Sequence, residues 1–124
     1  MKVLALDYGS ARTGVAVSDP TGTVARPAGT VERAVSDAGF ARLVALIGDE
    51  EPELVVVGMP LTLRGEHGEQ AQETARFVER LRSAIEVPVE TYDERFTSVL
   101  AEGDDARAAA HLLSSFLARQ SAGS

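Results

Sequence analysis

The chain has 124 residues, of which 44% are hydrophobic and 25% charged, and this composition predicts one globular domain spanning residues 1–124. It contains no cysteine, which excludes disulfides, thiolate metal sites and cysteine nucleophiles. The net charge of −7 argues against a protein that binds nucleic acid through overall positive charge, although it leaves room for a nuclease that holds its substrate through metal ions.

The N-terminal segment carries one basic residue, Lys2, and an apolar run that Asp7 cuts short. A signal peptide needs a longer apolar stretch and a cleavage site of small residues, and a membrane span needs about 20 apolar residues. We therefore expect a cytoplasmic protein with no membrane association.

The first third of the chain predicts three consecutive strands. Residues 3–6 form a continuous apolar run, as expected of a strand buried on both faces, and Asp7 stands at its end. Residues 14–18 predict a second strand, which a turn beginning at Asp19 separates from the third. Pro27 places the third strand at a sheet edge, because proline has no N–H to donate. We expect these strands to form an antiparallel meander.

Helices alternate with strands in the rest of the chain. Apolar residues at helical spacing predict a first helix with Ser36 as its N-cap, and Gly48 and Pro52 mark its end. A buried strand at 54–57, a second helix that Pro88 closes, a fifth strand and a last helix follow. The order β-β-β-α-β-α-β-α predicts an α/β protein in which helices cover both faces of a mixed five-stranded sheet.

Acidic residues stand at three points where a strand ends or a helix begins. Asp7 ends the first strand, Asp93 and Glu94 end the fifth, and Asp105 follows Asp104 at the start of the last helix. Each has a purely structural alternative, because Asp commonly bonds turn amides and caps helix N-termini. Clustered carboxylates repel one another unless divalent cations bind between them, and hard oxygen ligands suit Mg²⁺ or Mn²⁺. The pattern therefore predicts a cation site.

Six segments follow one another in an order that resembles the YqgF family, also called RuvX. They are residues 6–10 (LDYGS), 12–19 (RTGVAVSD), 25–27 (ARP), 55–61 (VVVGMPL), 93–98 (DERFTS) and 105–117 (DARAAAHLLSSFL). The resemblance runs from residue 3 to about residue 117. It implies an RNase H-like fold and a metal-dependent nuclease acting on pre-16S rRNA ends or on branched DNA.

The resemblance also implies roles for individual residues. Asp7, Glu94 and Asp105 take the place of the family's catalytic acids that bind Mg²⁺ or Mn²⁺, with Asp93 as the alternative to Glu94 among the metal ligands. Arg12 and Arg95 flank the expected site, where they would either grip phosphate or pair with nearby acids. The expected partner is nucleic acid, and homodimer formation stays open.

The chain departs from the family pattern after residue 98. In the family a longer segment rich in Lys and Arg separates the D-E-R motif from the last helix, whereas only six residues, 99–104, stand between Ser98 and Asp105 here. If this segment is missing from the protein, and not only from this sequence, the chain lacks a phosphate-binding surface. A second hypothesis is therefore a nucleic-acid or ribosome-assembly binding protein that keeps the fold and cleaves weakly.

Overall fold

The structure is a computed structural model that describes residues 1–60, 68–93 and 105–122. Its helices and strands follow the order predicted from the sequence. They are β1 (Val3–Asp7), β2 (Arg12–Ser18), β3 (Ala25–Glu32), α1 (Asp37–Glu50), β4 (Leu54–Met59), α2 (Glu69–Ala84), β5 (Val89–Asp93) and α3 (Asp105–Ala122).

The five strands form a single mixed sheet in the order β3-β2-β1-β4-β5. β1 pairs antiparallel with β2 and parallel with β4, and β5 is parallel to β4. The continuous apolar runs of β1 and β4 occupy the central positions, where both faces of a strand are covered. The predicted mixed five-stranded sheet is confirmed.

β3 is an edge strand, as the proline within it predicted. Its register with β2 shifts by one residue, because Val15 pairs with Gly29 whereas Ala16 pairs with Pro27. The turn between these strands depends on Asp19, whose carboxylate accepts hydrogen bonds from the Thr21 hydroxyl and from two backbone N–H groups. These bonds hold the pKa of Asp19 well below its usual range.

Each face of the sheet has its own core. Helices α1 and α2 cover one face, whose buried strand residues include Leu4, Leu6 and Val57. Helix α3 covers the other face and packs on Val3, Ala5 and other small or branched residues. We refer to these as the α1/α2 face and the α3 face. Helices on both faces were predicted, and this arrangement is confirmed.

The ends of α1 differ in how well the sequence predicted them. Ser36 is the N-cap, and its Oγ accepts a hydrogen bond of 3.0 Å from the N–H of Gly39. At the other end, Pro52 follows the helix as predicted, but Gly48 lies inside it, and Glu51 takes the left-handed capping conformation at φ 50°. The N–H of Glu51 still bonds to the Ile47 carbonyl, so the helix ends as a glycine cap would end it.

None of the helices in the described part of the chain is long and apolar enough to cross a membrane.

Candidate active site

The acidic residues at the strand ends share one edge of the sheet. β1, β4 and β5 are parallel, so their carboxyl ends, at Asp7, Met59 and Asp93, lie along the same edge. β2 is antiparallel and begins at this edge, where Gly14 pairs with Asp7. Ligands of open α/β sheets bind at the carboxyl ends of the parallel strands, and we call this edge the carboxyl edge.

Asp7 points to the α3 face of the sheet. Side chains alternate along a strand, and Val3 and Ala5 of β1 both belong to the core beneath α3. Asp7 has the same parity and is only half-buried. Its carboxylate therefore lies at the rim of the α3 core, between apolar packing and solvent.

The start of α3 rests directly on the strand beside Asp7. A Cβ placed on Gly14 would lie 1.8 Å from the carbonyl oxygen of Asp105, so only glycine permits this approach. Gly14 is the pairing partner of Asp7, and neighbouring strands are about 4.8 Å apart. The contact brings the first residue of α3 over the strand next to Asp7.

Arg12 forms an ion pair with Asp105 across the same edge. Its Nε lies 3.1 Å from Oδ2 of Asp105, with 57% of the arginine side chain and 33% of the aspartate side chain exposed. Such a partly exposed pair contributes little to stability, but it orients the Asp105 carboxylate. Of the two alternatives for Arg12, pairing with a nearby acid is what the structure shows, and phosphate binding stays a prediction.

The fifth strand shows to which face of the sheet Asp93 points, a question that the sequence left open. Tyr92 packs against the core beneath α3, and Val89 packs in the core on the other face. Because side chains alternate, Asp93 points to the α1/α2 face, away from Asp7. Glu94, Arg95 and Asp104 lie outside the described residues, as does the shortened link at 99–104.

Tyr92 ties the fifth strand to α3, a contact that sequence reasoning missed. Its hydroxyl lies 2.9 Å from Oγ of Ser115, and its ring packs edge-to-face on Phe116 with centroids 5.6 Å apart. Residue 115 belongs to the last family motif, which was the only sequence signal for it. The bond joins the strand that precedes Glu94 to the helix that begins with Asp105.

The donor chemistry at the carboxyl edge fits a divalent cation, although the described residues do not complete a site. Asp7 and Asp105 offer the hard carboxylate oxygens that Mg²⁺ and Mn²⁺ prefer. Across residues 1–60, 68–93 and 105–122, no three His, Cys, Asp or Glu side chains gather closely enough to hold an ion. A third acidic ligand would have to come from residues outside these ranges.

Two proteins that share one name are similar to this chain in sequence. A protein from Chloroflexus aurantiacus with the name "Putative pre-16S rRNA nuclease" is 46% identical over 100 residues, which are 81% of this chain and 65% of that protein. A Roseiflexus protein of the same name is 43% identical over 101 residues, 82% of this chain and 72% of its own. The chain therefore spans about two-thirds of the length of these relatives.

Solved structures show the same fold at low sequence identity. Thermus thermophilus RuvC in complex with a Holliday junction substrate superposes with a TM-score of 0.61 at 20% identity, covering 97% of this chain and 96% of that one. The likeness identifies the sheet and its helices as RNase H-like, as predicted. Residues 1–119 match the family described as "RuvX: Holliday junction resolvase". The chain belongs to the RuvX family.

Proposed function

We propose that this protein is a metal-dependent endonuclease that acts on structured nucleic acid, either the 5′ end of pre-16S rRNA or DNA resembling a Holliday junction. The observation that carries the proposal is the approach of Asp105 to Asp7 through Gly14 at the carboxyl edge. The names of the relatives and of the family support a nuclease, and they mention both substrates.

The catalytic acids of the proposed site are Asp7, Glu94 and Asp105. Asp7 and Asp105 would hold Mg²⁺ or Mn²⁺ from the end of β1 and the start of α3. Asp93 lies on the opposite side of the sheet from Asp7, which favours Glu94 as the third ligand. Bound divalent ions would activate the attacking water and stabilise the leaving oxygen of the phosphodiester.

Arginine side chains would position the substrate. Arg12 already stands at the carboxyl edge beside Asp105, and more than half of its side chain is open to solvent. A guanidinium can bind a carboxylate and a phosphate oxygen with different N–H groups, so Arg12 can contact the substrate without leaving Asp105. Arg95 follows the third acid in the chain and would also contact phosphate.

The test compares cleavage of two labelled substrates with Mn²⁺, a four-way DNA junction and a pre-16S rRNA 5′ leader. We expect the wild type to cleave at least one of them and Asp7→Asn to cleave neither. Asp49→Asn is the matched control, because Asp49 is an exposed acid of α1 outside the carboxyl edge. It should cleave as the wild type does.

A thermal melt tests cation binding separately from cleavage. An ion that binds only the folded state stabilises it by RT ln(1 + [L]/Kd), about 2.7 kcal/mol at a hundredfold excess over Kd. Mn²⁺ should therefore raise the Tm of the wild type and of Asp49→Asn, and the rise should be lost in Asp7→Asn. The second hypothesis, a binding protein with the same fold, would be favoured if the protein binds nucleic acid but neither cleaves it nor shows a metal-dependent rise in Tm.

A further inference from the structure

Arg33 has a backbone conformation that ordinary side chains rarely adopt. Its φ is 48°, in the left-handed region where glycine and asparagine are favoured. The surrounding structure holds it there: its N–H donates to the Ala11 carbonyl at 2.9 Å, and its own carbonyl accepts from the N–H and Oγ of Ser36. The backbone thus explains the conformation but does not explain why the residue is an arginine.

The Arg33 side chain is placed at the surface without a local anionic partner. The residue is exposed, and within the described part of the chain no carboxylate forms an ion pair with its guanidinium. It lines an open cleft of about 410 Å³ together with Ser10, Ala11, Val35 and Ser36. A cation at such a position is available to an anion from outside the chain.

The cleft adjoins the proposed active site. The hydrogen bond from Arg33 to Ala11 attaches it to the turn that joins β1 to β2, directly between Asp7 and Arg12. Arg12 pairs in register with Glu32 and reaches Asp105 on the α3 face. Arg33 lines its cleft together with residues 35 and 36, next to the start of α1, the helix that covers the opposite face of the sheet from α3. Residues 10–11 therefore lie between Arg12, which pairs with Asp105, and the cleft that Arg33 lines.

We propose that Arg33 is a phosphate-binding residue, and that with Arg12 it guides the backbone of the nucleic acid from the carboxyl edge across residues 10–11 into this cleft. The inference rests on the proposed function and names a part of its substrate site. A chain with a net charge of −7 needs such local cationic contacts to hold a polyanion.

The chain contains a matched control for the backbone effect. Glu51 is the only other non-glycine residue with a positive φ in the described ranges, and its φ of 50° is almost the same. It caps the opposite end of α1, and 14 helical residues separate the two ends by about 21 Å. Arg33→Gly and Glu51→Gly relax the same kind of strain, but only the first removes the proposed contact.

The experiment measures binding of the wild type, Arg33→Gly, Arg33→Lys and Glu51→Gly to a fluorescent four-way DNA junction and to the pre-16S rRNA leader. Fluorescence anisotropy of the labelled substrates, measured in the presence of Ca²⁺ over a range of salt concentrations, gives Kd and its salt dependence. The slope of log K against log salt is negative, and losing one phosphate contact should make it less steep by about 1 and weaken binding about tenfold at low salt. Arg33→Lys should keep the slope, and Glu51→Gly should match the wild type. The substrate that shows the loss identifies whether RNA or DNA crosses the cleft.

Thermal melts accompany the binding curves. We expect both glycine variants to melt at or above the wild-type temperature, because glycine adopts a positive φ without strain. An unchanged slope in Arg33→Gly, while the wild type binds, would overturn the inference and leave the proposed function intact. A lower Tm in Arg33→Gly would also overturn it by assigning the side chain a folding role. If the wild type binds neither substrate, the proposed function itself is rejected.

Discussion

The two faces of the sheet are built from different kinds of side chains. On the α1/α2 face, large side chains fill the core, among them three aromatic residues: Tyr8 stacks on Phe77 with ring centroids 4.5 Å apart, and Phe40 meets Phe77 edge-on at 6.3 Å. On the α3 face, β1 and β2 present Ala5, Gly14 and Ala16. Large residues hold two helices at the usual distance, whereas small ones let a single helix approach the strands closely.

This difference separates packing from proposed chemistry. The α1/α2 face excludes water over a wide area and provides a large share of the buried apolar surface. The α3 face gives up side-chain volume at Gly14, and in return the first turn of α3 reaches the strand that pairs with Asp7. Glycine at this position therefore follows from the close approach of two backbones rather than from a turn.

Gly14→Ala should break the close approach and have the largest effect. The new Cβ would overlap the Asp105 carbonyl, so α3 must shift, at a cost of about 3 kcal/mol in the free energy of unfolding. We also expect cleavage to be lost, because the shift moves Asp105 away from Asp7. Urea unfolding and the junction-cleavage assay measure the two effects.

Gly48→Ala is the control for this prediction. Nothing lies within 4 Å of a Cβ added at Gly48, which is inside α1 and far from α3 in the chain. Alanine there should stabilise the protein by about 0.5 to 1 kcal/mol, since glycine is a poor helix former. If the two alanine variants unfolded at the same urea concentration, the close approach of α3 to β2 would be refuted.

Tyr8, in the core of the α1/α2 face, should make the free energy of unfolding depend on pH in the alkaline range. Only 6% of Tyr8 is exposed, and its hydroxyl donates a hydrogen bond of 2.7 Å to Oε2 of Glu73. Burial, and next the hydrogen bond to Glu73, raise the pKa of Tyr8 to about 12 from an ordinary value of 10.0. The unfolded chain therefore loses this proton at lower pH than the folded protein does, and stability falls as the pH rises from about 10 to about 12.

The expected loss over this range is about 2 kcal/mol, from a shift of about two pKa units at 1.36 kcal/mol each with some allowance for solvent. Tyr8→Phe keeps the ring stack on Phe77 and removes the titrating hydroxyl, so its stability should fall less steeply. Urea unfolding from pH 8 to pH 11.5 gives both curves. Because all other groups titrate alike in the two proteins, parallel curves would contradict the prediction.

The hydrogen bond between Tyr92 and Ser115 should have the smallest effect, and it tests how the α3 face is connected to β5. Tyr92→Phe retains the edge-to-face contact with Phe116 and removes one hydrogen bond, which costs about 1 kcal/mol. Ser115→Ala should cost a similar amount. If the two hydroxyls bond to each other, the double variant should be less destabilised than the sum of the single variants, and additive losses measured by urea unfolding would show that they do not.

The sequence predicted those features that depend on local patterns. Pro27 identified the edge strand because proline lacks a donor for a neighbouring strand, and Ser36 identified the start of α1 because its hydroxyl can satisfy a free helix N–H. Gly48 misled the prediction of the end of α1, since a left-handed cap is formed by Glu51 instead.

The sequence by itself determined the order of the elements, the central apolar strands and the carboxylates at their ends, because each is encoded within a few neighbouring residues. Only the tertiary structure decided which of these residues meet. Strand register puts Asp7 beside Gly14 and turns Asp93 to the other face, and packing of α3 brings Asp105 onto β2. Arg33 joined the carboxyl edge in the same way, through a hydrogen bond to Ala11, 22 residues earlier in the chain. Contacts between distant segments depend on the relative placement of whole elements, which no local pattern specifies.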